Sequence, residues 1–553
     1  KNLKKINSKK KKYDLIFSKK NKHYYYVKSI KQIENLVEKK ITLKSINELL
    51  EDEIELNTEK RQIPERLKKI IDENKQRKKV LMKQPRFPYE EPYPYQKKAY
   101  KAWIKNDYKG LLAMATGTGK TLTSLYCLIE EFKINNVQKN IFVVPTEELV
   151  RQWAEELRDC NFSNIFLWYG SVSSLKKSIN DIKILKRGKT INIIVTYISL
   201  KSEAFQKIFK DSFKEFTVVF DEVHNLGAQG VRKALKGIEF NRTIGLSATP
   251  LRLWDDNGEN IFIEEMFKSY HPDYTFSFPM EKAIGKFLVN YNYYPFFITL
   301  NNDEWERYLK YTRQIPFGGS ENSINTTAAL KRQLLLDQAE AKEDILIHIV
   351  GKLVEEEKYK RTLVYCPKGR HDNEDEDRII NDLQSSVSDK FQNLNIQLFV
   401  GATKDRKELL QDFENDEVDM LFSIKVLDEG VNVPMAENAI FLASGKNYRE
   451  FVQRRGRVLR KYKTAVYEKT HANIYDIIVL PTIEQYNSHR NTAKKLIVTE
   501  FKRLFEFFNM SYKDNDIFWK IEQELEKYNL SQYHIEKIIK DEQKQDFTGD
   551  SEE

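Results

Sequence analysis

The chain has 553 residues, of which 41% are apolar and 31% are charged, and its formal net charge is +10. This length is too great for a single hydrophobic core and predicts about three to four domains. The sequence contains no apolar run long enough to cross a membrane and no apolar signal segment near its start, and its three cysteines lack the paired spacing of zinc sites or disulfide frameworks. We therefore expect a cytoplasmic protein without a membrane segment, and the mild positive charge permits a polyanionic partner without identifying one.

The first part of the chain, residues 1–83, is rich in lysine and contains no glycine. Seven lysines lie within residues 1–12, and they are compatible with a DNA-binding arm or with a solvated chain end. Four prolines in KQPRFPYEEPYPY then mark a boundary. We expect residues 1–83 to form an accessory region.

Two α/β units are predicted to follow. Over residues 84–285 short apolar runs alternate with helical stretches, which is typical of a parallel sheet covered on both faces, and the candidate strands are LLAMA, IFVVP, IFLWYG, INIIVTY, FTVVFDE and TIGLSATP. A connecting strand, YNYYPFFITL, and helices are expected over 286–357. A second series over 358–482 has the candidate strands RTLVYCP, IQLFVGAT, VDMLFSI and NAIFLAS, and residues 483–553 are expected to be helical with an acidic tail. The predicted fold class is α/β, with two tandem parallel-sheet domains.

The stretch MATGTGKTLTSLYCLIEE, which begins at Met114, places a glycine-containing loop between an apolar strand and a helix. Gly117 and Gly119 permit the turn and let backbone N–H groups approach phosphate oxygens. Lys120 is able to reach the β- and γ-phosphates, and the Thr121 hydroxyl is able to bind Mg²⁺. Met114 stands where the strict phosphate-loop pattern has glycine, so the prediction depends on the strand and the helix on either side.

The stretch VVFDEVHNLG ends an apolar strand with two carboxylates and a histidine. Alone, it is compatible with metal binding, acid/base chemistry or a strand cap. Together with the phosphate loop, Asp221 is expected to hold Mg²⁺ and Glu222 to polarise the attacking water. His224 by itself is typical of a hydrogen-bonded structural residue, and a zinc site would need further nitrogen or sulfur ligands, which the spacing does not provide.

The motifs resemble those of the superfamily 2 helicases in kind and order. MATGTGKT, VVPTEELVRQW, VTYISL, DEVH and LSATP are similar to motifs I, Ia, Ib, II and III, and LVYCP, LDEGVNVP and QRRGRVLR to motifs IV, V and VI. PYQKKAYKAW is similar to the segment that recognises adenine ahead of motif I. DEVH and GRVLR resemble the XPB-like and restriction-enzyme motor branches more than the DEAD-box RNA helicases, and the resemblance covers about residues 90–482.

This resemblance implies two RecA-like domains with ATP and Mg²⁺ in the cleft between them. It implies that Arg457 and Arg460 stabilise charge on the γ-phosphoryl group, and that Gln453 contacts the nucleotide or the catalytic water. Gln96 would hydrogen-bond the adenine edge. The residues that it places around the nucleotide are Gln96, Thr116, Gly117, Thr118, Gly119, Lys120, Thr121, Glu429 and Gly430. Spacing alone does not decide whether Arg454 and Arg455 contact nucleotide or DNA.

Two further groups of residues follow from the resemblance. The residues expected to link hydrolysis to domain movement are His224, Ser247 and Thr249, although the two hydroxyls alone would suggest strand-end caps. The residues expected to contact the nucleic-acid backbone are Thr146, Thr196 and Thr403. Related sequences usually carry an acid in LDEGVNVP where this chain has Asn432, which weakens the case for a ribose or arginine contact at that position.

The predicted function is ATP-dependent movement along nucleic acid, or its unwinding, with DNA favoured over RNA. An RNA helicase with the same mechanism and a non-hydrolysing ATP-gated clamp are the alternatives, and the intact acid pair and paired arginines argue against the clamp. The terminal regions show no convincing nuclease cluster. A role in restriction, phage defence or DNA repair would therefore need a partner protein that supplies cleavage or target recognition.

Overall fold

The structure is a computed structural model. It describes residues 84–170, 189–250, 259–315, 323–367, 378–401, 403–424, 433–443, 448–512 and 514–548, the single residues 179, 182, 186 and 369, and the backbone of three strands before residue 84. Those strands, β1 (Asp14–Ser18), β2 (His23–Val27) and β3 (Glu55–Leu56), form an antiparallel sheet of order β2-β1-β3. The rest of the predicted accessory region lies outside the described residues, as do Glu429, Gly430 and Asn432.

The first domain is built on a seven-stranded parallel sheet of order β10-β4-β9-β8-β5-β7-β6. Its strands are β4 (Lys109–Met114), β5 (Gln138–Val144), β6 (Ile165–Trp168), β7 (Thr190–Thr196), β8 (Thr217–Asp221), β9 (Arg242–Ser247) and β10 (Phe276–Phe278). Its helices are α1 (Pro94–Lys105), α2 (Lys120–Asn135), α3 (Glu147–Asp159), α4 (Tyr197–Leu200), α5 (Glu203–Phe209), α6 (Gln229–Leu235), α7 (Glu259–Phe267) and α8 (Met280–Ala283).

The apolar strands of this sheet form its core and bring the motifs to one edge. Most residues of the central strands are buried because helices cover both faces of the sheet, and all five residues of β8 are buried. The carboxyl ends of parallel strands meet at the same edge. There, Ala113 of β4 is in register with Ser247 of β9, and Asp221 of β8 is in register with Leu246. The segments after β4, β8 and β9 are therefore neighbours.

The second domain is built on a six-stranded parallel sheet of order β11-β16-β15-β12-β14-β13. Its strands are β11 (Asn290–Thr299), β12 (Thr362–Tyr365), β13 (Ile396–Phe399), β14 (Met420–Ser423), β15 (Asn438–Phe441) and β16 (His471–Leu480). Its helices are α9 (Asn302–Arg313), α10 (Ser323–Asp337), α11 (Ala341–Glu355), α12 (Arg378–Lys390), α13 (Arg406–Glu414) and α14 (Tyr448–Val458). Two tandem parallel-sheet α/β domains are thus confirmed.

The connecting strand predicted at YNYYPFFITL is an integral strand of this second sheet. It forms β11, which pairs along its whole length with β16. The second domain therefore includes residues placed by the sequence in the connection over 286–357. Local pattern predicts a strand correctly, but the partner of that strand is set by contacts far apart in the chain.

The described residues after β16 form four helices, in agreement with the helical region predicted there, and they pack on the second domain. They are α15 (Ile483–Ser488), α16 (Arg490–Met510), α17 (Asn515–Glu526) and α18 (Gln532–Thr548). The buried face of α16 includes the cation Arg503, which forms ion pairs with Glu500 (2.9 Å) and with Asp476 of β16 (3.2 Å). Over the described residues, no helix has the length and apolar character needed to cross a membrane.

Candidate nucleotide site between the two domains

The loop between β4 and α2 is shaped to bind phosphate groups. Gly117 and Gly119 have φ angles of 84° and 76°, a left-handed conformation that residues with a Cβ rarely adopt. Because α2 begins at Lys120, the free N–H groups of its first turn face the loop and favour an anion there. The Thr118 hydroxyl donates to a main-chain oxygen three residues earlier (2.7 Å), which holds the loop in shape. Thr121 lies in the first turn of α2, so the predicted phosphate-binding residues are brought together.

Gln96 lies beside this loop, on α1, and both ends of its amide have partners within the protein. Its Oε1 accepts a hydrogen bond from the main-chain N–H of Tyr93 (2.9 Å), and its Nε2 donates to Thr123 Oγ1 (3.3 Å) on α2. The Tyr95 hydroxyl donates to the main-chain oxygen of Thr118 (2.6 Å). The segment thus ties α1 to the phosphate loop, and an adenine contact by Gln96 stays a prediction.

Asp221 ends β8 beneath the phosphate loop and is 8% exposed. Its Oδ2 accepts a hydrogen bond from the indole N–H of Trp153 (3.0 Å), and its Oδ1 accepts one from the main-chain N–H of Glu222 (3.0 Å). Burial and the charge of Glu222 raise the pKa of Asp221 to about 6, against the opposing effects of Trp153 and Lys120. A carboxylate held in this way gains from a nearby cation, since the cation offsets both burial and repulsion.

The donor set at this edge fits a magnesium ion that is bound together with a nucleotide. In the part of the chain that the structure describes, no group of three acidic, histidine or cysteine residues could hold a metal by itself. Mg²⁺ usually needs only one or two protein oxygens, because water and substrate phosphates complete its shell. The Asp221 carboxylate and the Thr121 hydroxyl are the protein oxygens that would hold it.

Glu222 turns from β8 toward the end of β9. It has a φ angle of 47°, and its Oε2 accepts a hydrogen bond from Ser247 Oγ (3.4 Å) and lies 3.5 Å from His224 Nδ1. Ser247 Oγ in turn accepts a hydrogen bond from the main-chain N–H of Thr249 (3.1 Å). Of the three residues predicted to couple hydrolysis to movement, His224 and Ser247 therefore contact Glu222 directly and Thr249 is connected to it through Ser247; the coupling itself stays a prediction.

The helix α14 carries QRRGRVLR up to Val458, and it packs directly on the phosphate loop of the first domain. A Cβ atom at Gly456 would lie 2.5 Å from Thr116 Cβ, so no larger residue fits there without displacement. A Cβ atom at Gly117 would lie 3.0 Å from the main-chain oxygen of Gly456 and 3.4 Å from Arg460 Cγ. Glycine on each side thus allows the two backbones to approach and places Arg460 against the phosphate loop.

The predicted arginine pair forms a buried positive cluster at this contact. Arg457 is 9% exposed. Burial and Arg457 lower the pKa of Arg460 to about 10, while Glu156 opposes this effect. Gln453 is partly buried one helical turn before Arg457, on the same face of α14. Two cations held this close in a buried cleft favour the binding of an anion between the domains.

Arg454 and Arg455, whose role the sequence left open, are buried in the second domain. Arg454 Nη1 donates to the main-chain oxygen of Ala443 (3.1 Å). Arg455 is 1% exposed, forms an ion pair with Glu506 of α16 (2.7 Å) and lies over the ring of Phe507 (4.8 Å). These contacts anchor α14 to its own domain and to the C-terminal helices.

Trp153 and Glu156 of α3 are site residues that the sequence analysis missed. They lie three residues apart and therefore on one face of the helix. Trp153 reaches Asp221, and Glu156 Oε2 is buried without a hydrogen-bond partner among the described residues. Burial raises the pKa of Glu156 to about 7; Gln152 opposes the rise, Asp221 adds to it, and Arg460 opposes it. The sequence signal that could have identified them is the three-residue spacing of Trp153 and Glu156 within VRQWAEEL, which places both side chains on one face of a helix.

The three threonines predicted to contact the nucleic-acid backbone all lie at strand ends or in turns, where their hydroxyls have local partners. Thr146 accepts from the N–H of Leu149 (3.3 Å) at the start of α3, and Thr196 accepts from that of Ser199 (3.1 Å) at the start of α4. Thr403 accepts from the main-chain N–H of Val400 (2.9 Å). The three hydroxyls thus cap nearby main-chain N–H groups, and their contacts with nucleic acid stay predictions.

Comparison with known families gives two matches, one in each of the two domains. The model of the type III restriction enzyme res subunit matches residues 90–252, and that of the helicase conserved C-terminal domain matches residues 341–462. The first covers the phosphate loop and the acid pair, and the second covers the arginine-bearing helix.

Individual relatives agree with these matches. The chain is 26% identical over 394 residues to the DNA 3'-5' translocase XPB2 of Sulfurisphaera tokodaii. The aligned region covers 66% of this chain and 78% of that protein. It is 22% identical over 409 residues to the XPB helicase/translocase subunit of general transcription and DNA repair factor IIH of Drosophila melanogaster, covering 72% of this chain and 45% of that protein.

A solved structure shares the fold. The ATP-dependent type ISP restriction-modification enzyme LlaBIII, bound to DNA, matches with a TM-score of 0.50 and 18% identity, over 75% of this chain and 30% of that one. From the ordered motifs, the two domains and these relatives, the chain is a nucleic-acid-dependent ATPase with the two helicase domains of superfamily 2, and it is similar to helicases and translocases of the XPB and restriction-motor type.

Proposed function

We propose that the chain is an ATP-dependent motor that moves along DNA. The observation that carries the proposal is the direct contact of α14 with the phosphate loop, because this contact brings Arg460 of one domain against Gly117 of the loop that would bind the phosphates in the other. A bound nucleotide would then join the domains, and its hydrolysis would release them. The relatives named as DNA translocases favour DNA over RNA.

The first domain binds the nucleotide. Backbone N–H groups of the loop and the Lys120 ammonium hold the phosphates, with Thr116, Thr118 and the two glycines shaping the loop. Asp221 and Thr121 would hold Mg²⁺, which supplies charge neutralisation on the phosphate oxygens.

Hydrolysis needs groups from both domains. Glu222 orients the attacking water and accepts its proton, and Arg457 and Arg460 stabilise charge as the terminal phosphoryl group is transferred. Gln453 contacts the nucleotide or the water from the same helix. Loss of the terminal phosphate removes the negative charge that offsets the buried arginines, so the domains separate.

Movement along the nucleic acid follows if the separation of the domains changes how tightly each domain binds the nucleic-acid backbone. The threonines at the strand ends lie on both domains and would bind phosphates without reading sequence. On the same side, Arg406 of the second domain lies 3.9 Å from Glu148 of the first, which is a further contact between the domains. The chain of contacts from Glu222 through Ser247 to Thr249 would couple the two sites.

The test is ATPase activity measured side by side with duplex DNA, single-stranded DNA and RNA. We expect stimulation by DNA, loss of ATP binding in Lys120→Ala, and a loss of hydrolysis of about 10²- to 10⁴-fold in Glu222→Gln with ATP binding retained. Stimulation by RNA alone would establish the RNA-helicase alternative. Wild-type hydrolysis no faster than that of Glu222→Gln, with nucleic acid present, would overturn the motor.

Partner proteins belong to the same proposal. A restriction, phage-defence or DNA-repair role would require a second protein for cleavage or target recognition, and the exposed faces of the C-terminal helices are the surface that we assign to it. Co-purification of the full chain, compared with a chain ending before Ile483, tests this assignment. Retention of the partner by the shortened chain would contradict it.

A further inference from the structure

A buried lysine, Lys469, lies outside the nucleotide site, between α14 and β16 of the second domain. It is 3% exposed. Its main-chain N–H donates to the oxygen of Tyr462 (2.9 Å), within a turn in which Lys463 is bridged to Glu468. None of the predicted motifs includes this lysine.

The Lys469 ammonium donates to three main-chain oxygens from two different segments. Two belong to Pro434 (3.2 Å), the last residue of LDEGVNVP, and to Ala436, two residues later; the third belongs to Val458, the last residue of α14. An ammonium has three N–H donors, so these acceptors use all of them. A cation also suits the carboxyl end of a helix, where free carbonyl groups carry partial negative charge.

The Lys469 amine is buried, and among the described residues no carboxylate lies at hydrogen-bond distance from it; burial lowers the pKa of Lys469 to about 7. Among the described residues Lys469 forms no ion pair, and the nearby Glu437 is bonded instead to Arg361 (3.2 Å) and Tyr467 (2.5 Å). Burying an unpaired cation costs several kcal/mol, which an apolar side chain at the same place would avoid. Lys469 therefore does more than fill space.

The segment that Lys469 holds is the one that touches the first domain. Immediately after Val458, the main-chain oxygen of Leu459 accepts a hydrogen bond from the N–H of Val289 in the segment between the domains (2.9 Å). The next residue, Arg460, forms an isolated bridge with Leu288 and lies against Gly117. A shift of the end of α14 would therefore move the arginine relative to the phosphate loop.

We propose that Lys469 is a positioning residue for ATP hydrolysis: by joining the end of LDEGVNVP, at Pro434 and Ala436, to the end of α14, it sets where Arg457 and Arg460 meet the nucleotide. Lys469 touches neither the phosphate loop nor the reacting atoms. It acts through the helix backbone. A displacement of about 1 Å at a catalytic group is enough to lower a rate about 100-fold.

The experiment compares nucleic-acid-stimulated ATPase of the full chain in wild type, Lys469→Met and Lys469→Arg. The methionine variant keeps the length of the side chain and loses all three donors, and we expect at least a tenfold lower kcat with less than a threefold change in the KM for ATP. Lys469→Arg keeps a cation with several donors, and we expect it to recover part of the lost kcat.

Two controls separate positioning from stability. Lys463→Met removes an exposed lysine of the same turn, and we expect unchanged kcat. Ile478→Ala on β16 removes a buried side chain, and we expect a lower Tm with unchanged kcat when it is assayed well below that Tm. The proposal is overturned if Lys469→Met retains wild-type kcat, or if Ile478→Ala loses as much kcat as Lys469→Met. If Lys469→Met does not fold, a wild-type kcat in Lys469→Gln, which loses the cation, overturns it as well.

Discussion

The indole N–H of Trp153 donates a hydrogen bond to the carboxylate of Asp221 across 3.0 Å, and thereby connects α3 to the end of β8. Thr146 caps the start of α3, so the helix that begins at a predicted nucleic-acid contact also carries the side chain that supports the predicted metal ligand. The hydrogen bond lowers the pKa of Asp221 against the larger effect of burial. It therefore helps to keep this carboxylate in the ionised form that binds Mg²⁺.

Trp153→Phe is expected to weaken magnesium binding while keeping an aromatic ring in place. The lost hydrogen bond to a charged group contributes about 1.5–3 kcal/mol, and part of it is recovered from the metal, so we expect about a 3- to 30-fold higher Mg²⁺ concentration for half-maximal ATPase. A Mg²⁺ titration of the ATPase measures this. Trp168→Phe, at a buried tryptophan on β6 away from the site, is the control and should leave the Mg²⁺ dependence unchanged.

Gly456→Ala is expected to prevent the two domains from closing. The new methyl group would lie 2.5 Å from Thr116 Cβ, although alanine favours a helix more than glycine does by about 1 kcal/mol. We predict at least a tenfold lower kcat with an unchanged or higher Tm. Gly401→Ala, where nothing lies within 4 Å, is the matched control. Wild-type kcat in Gly456→Ala would show that hydrolysis does not require this close approach.

Arg455→Met is expected to lower stability without removing a DNA contact. It leaves Glu506 without its ion-pair partner and removes the cation from Phe507, and breaking such a buried pair costs about 3–5 kcal/mol. The Tm should fall, while the slope of log Kd for DNA against log salt concentration should stay the same. A slope reduced by about 0.9 would instead identify Arg455 as a phosphate contact.

Glu156→Gln is expected to change how stability depends on pH. Burial raises the pKa of Glu156 from 4.5 to about 7, so the folded protein binds more protons than the unfolded chain between these values. Stability from this group is therefore present at low pH and is lost as the pH rises through 7. The glutamine variant cannot lose that proton, so its Tm relative to wild type should be higher at pH 8 than at pH 5, on the order of a few degrees.

The measurement for Glu156→Gln is thermal unfolding at the two pH values, without nucleotide and with a chelator, so that neither ligand adds charge to the cleft. Glu155→Gln changes the adjacent, exposed carboxylate and is the control. If the Tm difference between Glu156→Gln and wild type is the same at pH 5 and pH 8, the ionisation of Glu156 does not affect stability.

The sequence by itself determined the main secondary-structure elements and predicted the nucleotide chemistry. Continuous apolar runs predict buried parallel strands because both faces of such a sheet are covered, and the strands β4, β8 and β9 form as expected. Gly117, Gly119 and Lys120 are recognisable because their roles depend on local backbone geometry and on the start of a helix. A short sequence motif is therefore enough to recognise a site that forms from neighbouring residues.

The tertiary structure alone decided the pairings between distant parts of the chain. β11 joins the second sheet by pairing with β16, Arg455 is neutralised by Glu506, and Gly456 meets Thr116 of the other domain. Trp153 and Lys469 acquire their partners in the same way. No local pattern encodes these contacts, because each depends on how close the folded backbone brings residues that are far apart in sequence.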